Sequence, residues 1–192
     1  MINCIHGHIP YGLHYYFTRI DSYRYITFLR SPDELLLSYH NFIFTDGPMH
    51  QYKWDINKNW QKTIDFSTWI RDCKIASQDN GMTRILSGMD NINTHDIKRK
   101  VTEDDFEKAK KHLYTYSFIG LTETLDFDLI SLSNLLKWNK IPQKPRAWSY
   151  PNRKHSIDLN SSDVKYLYET QKYDFELYEV AKQINKDISK NI

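Results

Sequence analysis

The chain carries only two cysteines in 192 residues, Cys4 and Cys73. They are too few for a disulfide framework and lack the spacing of a metal site, so a reducing compartment is the expectation. No stretch approaches the roughly 20 apolar residues that a membrane span requires. The N-terminal residues do not have the layout of a signal peptide, and if Met1 is the true start the protein belongs in the cytoplasm. Charge of either sign is scarce in excess: 26 Lys+Arg stand against 24 Asp+Glu, formally +2. Basic and aromatic residues are dispersed, which argues against nucleic-acid binding. The clusters Lys98-Arg99-Lys100, Lys108 with Lys110 and Lys111, and Lys137 to Lys154 read first as solvated faces. There is no internal repeat and no low-complexity tract.

What is present is a core. A 40% hydrophobic share, with 15% aromatics, argues against disorder and suits a single domain over residues 1–192. Apolar runs predict short strands at Met1 to Ile5, Tyr25 to Leu29 and Tyr116 to Leu121. Helical periodicity predicts helices at Leu13 to Ile20, Pro32 to Phe44, Ile64 to Ser77, Met82 to Leu86 (closed by Gly88), from Thr102 on, Leu125 to Trp138, Ser162 to Thr170 and Tyr173 to Lys186. Thr45 to Gln61 reads as an irregular insertion and Asn139 to Ser161 as a loop. Strands separated by helices predict an α/β fold, a parallel sheet flanked by helices. In such sheets, sites gather beyond the C-terminal ends of the strands.

One segment concentrates chemistry there. Tyr25-Ile-Thr-Phe-Leu-Arg30 is a strand ending in a guanidinium. Ser31 then fits an N-cap, Pro32 the first helical position and Glu34 the partner of a capping box, and Ser38 lies in the second turn. Arginine, hydroxyl and helix N-terminus at one place suit a phosphate monoester; equally, Arg30 ends a core strand and Ser38 is an ordinary helix serine. His6 and His8, two apart in an extended segment, face the same way. Such a pair suits a general base, a loop cap with a core histidine, or two ligands of a metal for which spacing shows no third. Arg84 holds a site or ties its segment to a neighbouring carboxylate. Glu123 reads as the capping group of the helix it precedes. Tyr52, Trp54 and Trp60 stack on sugars or pack over the core.

The segment Arg30-Ser-Pro-Asp-Glu-Leu-Leu-Leu-Ser-Tyr39 resembles the 3′-phosphate motif of sulfotransferases that use 3′-phosphoadenosine 5′-phosphosulfate (PAPS). Arg30, Pro32, Glu34, Ser38 and Tyr39 match that pattern, while Ser31 replaces an Asp and Leu35 an Arg. His6-Gly-His-Ile-Pro-Tyr-Gly12 is similar to a segment of carbohydrate sulfotransferases, its His-Gly-His form to that of heparan sulfate 2-O-sulfotransferases. Asn80-Gly-Met-Thr-Arg-Ile-Leu-Ser-Gly88, Gly120-Leu-Thr-Glu123 and Asp174-Phe-Glu-Leu-Tyr-Glu-Val-Ala181 resemble family segments in the same order.

The resemblance implies a P-loop-NTPase-like sulfotransferase fold and transfer of a sulfuryl group from PAPS to a carbohydrate hydroxyl, with PAPS as co-substrate and no metal. It implies His8 as base with His6 in support, Arg30 and Ser38 on the 3′-phosphate, Arg84 near the site, and Arg153 and Lys154 over the cofactor, where surface charge is the other reading. The family's Gly- or Ser/Thr-rich loop with a Lys, which holds the 5′-phosphosulfate, has no counterpart in this sequence, which has six glycines. The expectation is therefore an N-terminally truncated copy. Its exposed sheet edge would invite a partner chain or self-association, and a non-catalytic binder of adenosine 3′,5′-bisphosphate or an anionic glycan is the alternative.

Overall fold

Two strands carry the fold. In a computed structural model describing residues 5–7, 9–17, 22–44, 65–72, 78–89, 99–140 and 160–190, β1 (Ile26–Leu29) and β2 (Phe118–Leu121) pair in parallel, Ile26 opposite Phe118 and Leu29 opposite Leu121. Parallel strands need a long crossover. Here it contains α1 (Pro32–Phe44), α2 (Phe66–Asp72), α3 (Gly81–Ser87) and α4 (Glu103–Leu113). Beyond β2 come a 3-10 turn at Thr122–Thr124, then α5 (Leu125–Leu136), α6 (Ser161–Thr170) and α7 (Lys172–Lys190). This is the α/β architecture with a parallel sheet that the sequence predicts. Of the predicted segment Leu13 to Ile20, Leu13–Tyr16 form a 3-10 turn, and residues 18–20 lie outside the described residues. Residues 1–4 of the strand predicted for Met1 to Ile5, the insertion at 45–61, Cys73 and most of the loop at 139–161 lie outside the described residues. No helix among the described residues is long and apolar enough to cross a membrane.

Alternation divides the sheet. Leu29, Ile119 and Leu121 join a core with Met82, Leu86, Phe106, Ala109, Leu113, Leu177, Tyr178 and Ala181 from α3, α4 and α7. On the other face Phe28 lies across Gly120, where a Cβ would collide with the Phe28 ring. A second core joins Leu36 and Leu37 of α1 to Phe66, Trp69 and Ile70 of α2 and Leu167 of α6. Each such side chain, fully buried, contributes about 1.5–3 kcal/mol relative to exposure.

The outer side of β2 is closed by side chains. Asn185 Nδ2 donates to Ile119 O at 2.8 Å, and Leu121 N donates to Asp128 Oδ2 at 2.7 Å; Asn185 also bonds Asp128. Alternate residues of a strand present their backbone groups to the same side, so these bonds take the place of a third strand there. Among the described residues, that leaves β1 as the side open to further pairing.

Buried polar bonds lock α3 to α7. Asp174 accepts from Met82 N (2.9 Å), Thr83 N (2.8 Å) and Thr83 Oγ1 (2.8 Å), capping α3 from across the fold. Asn80, at φ 54, returns the favour: its Oδ1 accepts from Tyr173 N and Asp174 N at the start of α7. Each helix thus supplies the cap of the other. Burial pushes the Asp174 carboxyl up to about 6 against the pull of its three hydrogen bonds.

Candidate functional site

β1 and β2 end side by side, so Arg30 and Thr122 leave the sheet together, and α1 begins two residues after Arg30. The Ser31 amide donates to Glu123 Oε1 at 2.9 Å, and Tyr178 Oη donates to Glu123 Oε2 at 2.7 Å. This corrects two sequence expectations. The Ser31–Glu34 capping box does not form, because Glu123 takes the Ser31 N–H that Glu34 would need. And Glu123 caps α1, on the neighbouring strand's exit, and not the helix it precedes. A carboxylate sits well at a helix N-terminus. Burial alone would raise the Glu123 carboxyl, yet its hydrogen bonds hold it below its ordinary value. The Tyr178 hydroxyl is pushed up by burial and by the Glu123 bond and charge.

Arg30 is held loosely. Its Nη2 lies 3.9 Å from Glu34 Oε2, and the two side chains are 25% and 41% exposed. Ser38 is half-buried, one further turn along the face that carries Glu34. Arg30, Glu34 and Ser38 therefore form one stripe, a cation and a hydroxyl with a carboxylate between them.

The histidine segment docks elsewhere on the same framework. Tyr11 N donates to Ile85 O at 2.9 Å, at the C-terminus of α3. Gly88 closes α3 at φ 83, with Met89 N bonded to Arg84 O and Gly88 N to Ile85 O. A Cβ on Gly88 would stand 2.9 Å from Tyr11 O, so both its φ and the docked segment require glycine. Gly12 N donates to Tyr25 Oη at 3.2 Å. His6 is exposed and, among the described residues, has no hydrogen bond or ion pair with Arg30, Ser38 or Arg84.

Arg84 is 3% exposed and held on two of its nitrogens. Its Nη2 pairs with Asp79 Oδ2 and donates to Arg99 O at 2.7 Å, while Nε donates to Asp79 O at 2.9 Å. That is the carboxylate tie weighed for it in the sequence, and the arrangement leaves Arg84 out of the anion stripe. Arg99, beside it, clamps Asp105 with two bonds of 2.5 and 2.8 Å. His8, Arg153 and Lys154 lie outside the described residues, as do Tyr52, Trp54 and Trp60. No group of three metal-ligating side chains occurs among the described residues.

All five sequence segments are thereby joined. Segment 6–12 rests on 80–88, Ser31 binds Glu123, and the α7 segment reaches both, through Asp174 to α3 and Tyr178 to Glu123. Sequence reasoning missed Tyr178 as a partner of Glu123, and Tyr25 and His112 as anchors of Tyr11. Their only signal was placement on core-facing or strand-edge positions. Comparison with protein-family models, with curated proteins and with solved structures found no match.

Proposed function

We propose that this protein binds the adenosine 3′,5′-bisphosphate part of PAPS, with Arg30 and Ser38 on the 3′-phosphate, and transfers its sulfuryl group to a carbohydrate hydroxyl. The observation that carries the reading is the loosely paired Arg30, set at the end of a parallel strand, directly before a helix N-terminus and on one stripe with Ser38. Parallel sheets bind ligands at such strand ends, and a helix start next to a loosely paired guanidinium is suited to an anion. In this reading the sheet is the remnant of a P-loop-NTPase-like sulfotransferase fold.

The reaction balances simply. The acceptor oxygen attacks sulfur, the bond from sulfur to the 5′-phosphate oxygen breaks, and adenosine 3′,5′-bisphosphate leaves. The acceptor proton goes to His8, oriented with help from His6, while Arg153 and Lys154 supply charge over the nucleotide. Positioning and charge stabilisation account for most of the acceleration in transfers of this kind. No metal is part of the scheme, and the setting is cytoplasmic.

A second reading, binding of adenosine 3′,5′-bisphosphate or an anionic glycan without turnover, is favoured by one observation. Two carboxylates already attend the site, Glu34 beside Arg30 and Glu123 on the Ser31 amide.

Calorimetry decides the shared part. Arg30→Ala is expected to lose about 1.5–3 kcal/mol of affinity for adenosine 3′,5′-bisphosphate, the worth of a charge-assisted hydrogen bond, and much less for adenosine 5′-phosphate. Ser38→Ala loses less. Equal losses on both nucleotides would remove the 3′-phosphate role. Transfer of labelled sulfate from PAPS to an unsulfated glycan then separates enzyme from binder.

A further inference from the structure

We propose that His112 is a positioning residue for the histidine-bearing segment 6–12, acting through the ring of Tyr11. His112 closes α4, and its Nδ1 lies 2.7 Å from Leu86 O. A backbone carbonyl can only accept, so Nδ1 carries the proton and, in the neutral ring, Nε2 is bare. The bond fixes the ring's orientation. It also satisfies one of the carbonyls that the end of α3 leaves without a helical partner.

That fixed ring is a platform. Tyr11 lies flat on it, with centroids 3.7 Å apart and planes 13° apart. Tyr25 covers the other side of Tyr11 at 4.7 Å and 26°, so Tyr11 is the middle of a three-ring stack. Its hydroxyl is tied to the same helix end. Thr115 Oγ1 donates its single proton to His112 O at 2.7 Å, so in the 3.1 Å contact between the two hydroxyls Tyr11 is the donor. Tyr11 N is bonded to Ile85 O, and the next amide, Gly12 N, to Tyr25 Oη. The hydrogen bonds that tie this segment to the rest of the described residues converge on Tyr11 and Gly12, three to six residues after His6 and His8. His112 holds the face of the ring on which they depend.

The decisive measurement needs no catalysis. Amide exchange on the full chain is followed at Tyr11 and Gly12, with Leu177 in the core of α7 as the reference. His112→Ala is expected to speed exchange at Tyr11 tenfold or more over any change at Leu177. His112→Phe, which keeps a ring but no donor, should fall between the variant and the parent. Equal factors at Tyr11 and Leu177 would make His112 an ordinary packing residue and overturn the proposal, as would unchanged protection of Tyr11. Nitrogen NMR of the unsubstituted chain at pH 8 gives a check that survives a misfolded variant: Nδ1 protonated and Nε2 bare supports the platform, the reverse refutes it. The catalytic arm rests on the proposed function. There, His112→Ala lowers kcat with little change in nucleotide affinity, and His112→Phe restores part of it. Should the parent chain transfer no sulfate, that reading fails, while the exchange data still decide the role of His112.

Discussion

Two arginines of this protein live in opposite surroundings. Arg84 is 3% exposed, bonded to the carboxylate and carbonyl of Asp79 and to Arg99 O. Arg30 stands at the sheet's C-terminal end, a quarter exposed, with one carboxylate at 3.9 Å. A buried guanidinium must have its donors filled, because leaving it unpaired away from water costs several kcal/mol. Arg84 is therefore spoken for by the fold. A guanidinium that still reaches water, with one distant partner, can exchange that partner for a ligand at less cost than a buried, paired one. The contrast separates an arginine that builds the scaffold from one poised on its surface.

Breaking the buried side gives the largest effect. Arg84→Ala strands Asp79, whose Oδ2 also accepts from Val101 N at 3.2 Å, and removes the donor to Arg99 O. Loss of one partner of a buried pair costs about 3–5 kcal/mol, which for a chain of this size lowers Tm by roughly 10 °C. Arg30→Ala should move stability by no more than about 0.5 kcal/mol. Chemical denaturation of both variants checks the contrast, and equal losses would dissolve it.

The next effect is in pH. Asp174, in the α3–α7 lock near Arg84, has its carboxyl raised by burial from 3.8 to about 6. The folded state then binds this proton more tightly than the unfolded state between about pH 4 and 6. Stability from this group is full below pH 4, falls as pH rises through 6, and is constant beyond. At 1.36 kcal/mol per pH unit, the difference between parent and Asp174→Asn should change by up to about 3 kcal/mol across that window. Taking the difference matters, because Asp105, held below its ordinary value by the Arg99 hydrogen bonds, pushes the raw curve the other way at acid pH. A flat difference curve would mean that the three donors to Asp174 offset its burial, and one that rises with pH would mean that they outweigh it.

How much of this was legible depends on the range of the interaction. α1 begins and ends where Pro32 and the apolar spacing put it, and α4 has the Thr102 cap and the acidic and basic ends its sequence displays. Both signals are local, since a cap and its helix lie within four residues. The capping box at Ser31 failed because its amide found Glu123, 92 residues on, a partner that exists only once β1 and β2 are paired. Asp174 on Met82 and Thr83, and His112 on Leu86, were hidden for the same reason. The segments of the candidate site were visible one at a time. Which of them touch, and which arginine is loosely held, is a property of the packing.

The smallest effect tests the exposed side most sharply. Glu34 stands 3.9 Å from Arg30 and 41% exposed, so with solvent screening the pair itself contributes a few tenths of a kcal/mol. Glu34 also lies in the first turn of α1, where a negative charge gains about 0.3–1 kcal/mol from the helix dipole. Glu34→Gln removes both, so stability should fall slightly. For a phosphate arriving at Arg30 the same change has the opposite sign, because a competing, repelling carboxylate disappears. Affinity for adenosine 3′,5′-bisphosphate should rise about two- to fivefold at low salt, and the gain should shrink as salt screens the removed charge. Adenosine 5′-phosphate should gain much less, lacking the 3′ group. The paired signs are the test, since a variant that is merely less stable does not bind more tightly. If calorimetry shows affinity unchanged or reduced while stability falls, Arg30 serves the start of α1 and nothing more, and the difference between the two arginines is one of burial without consequence for binding.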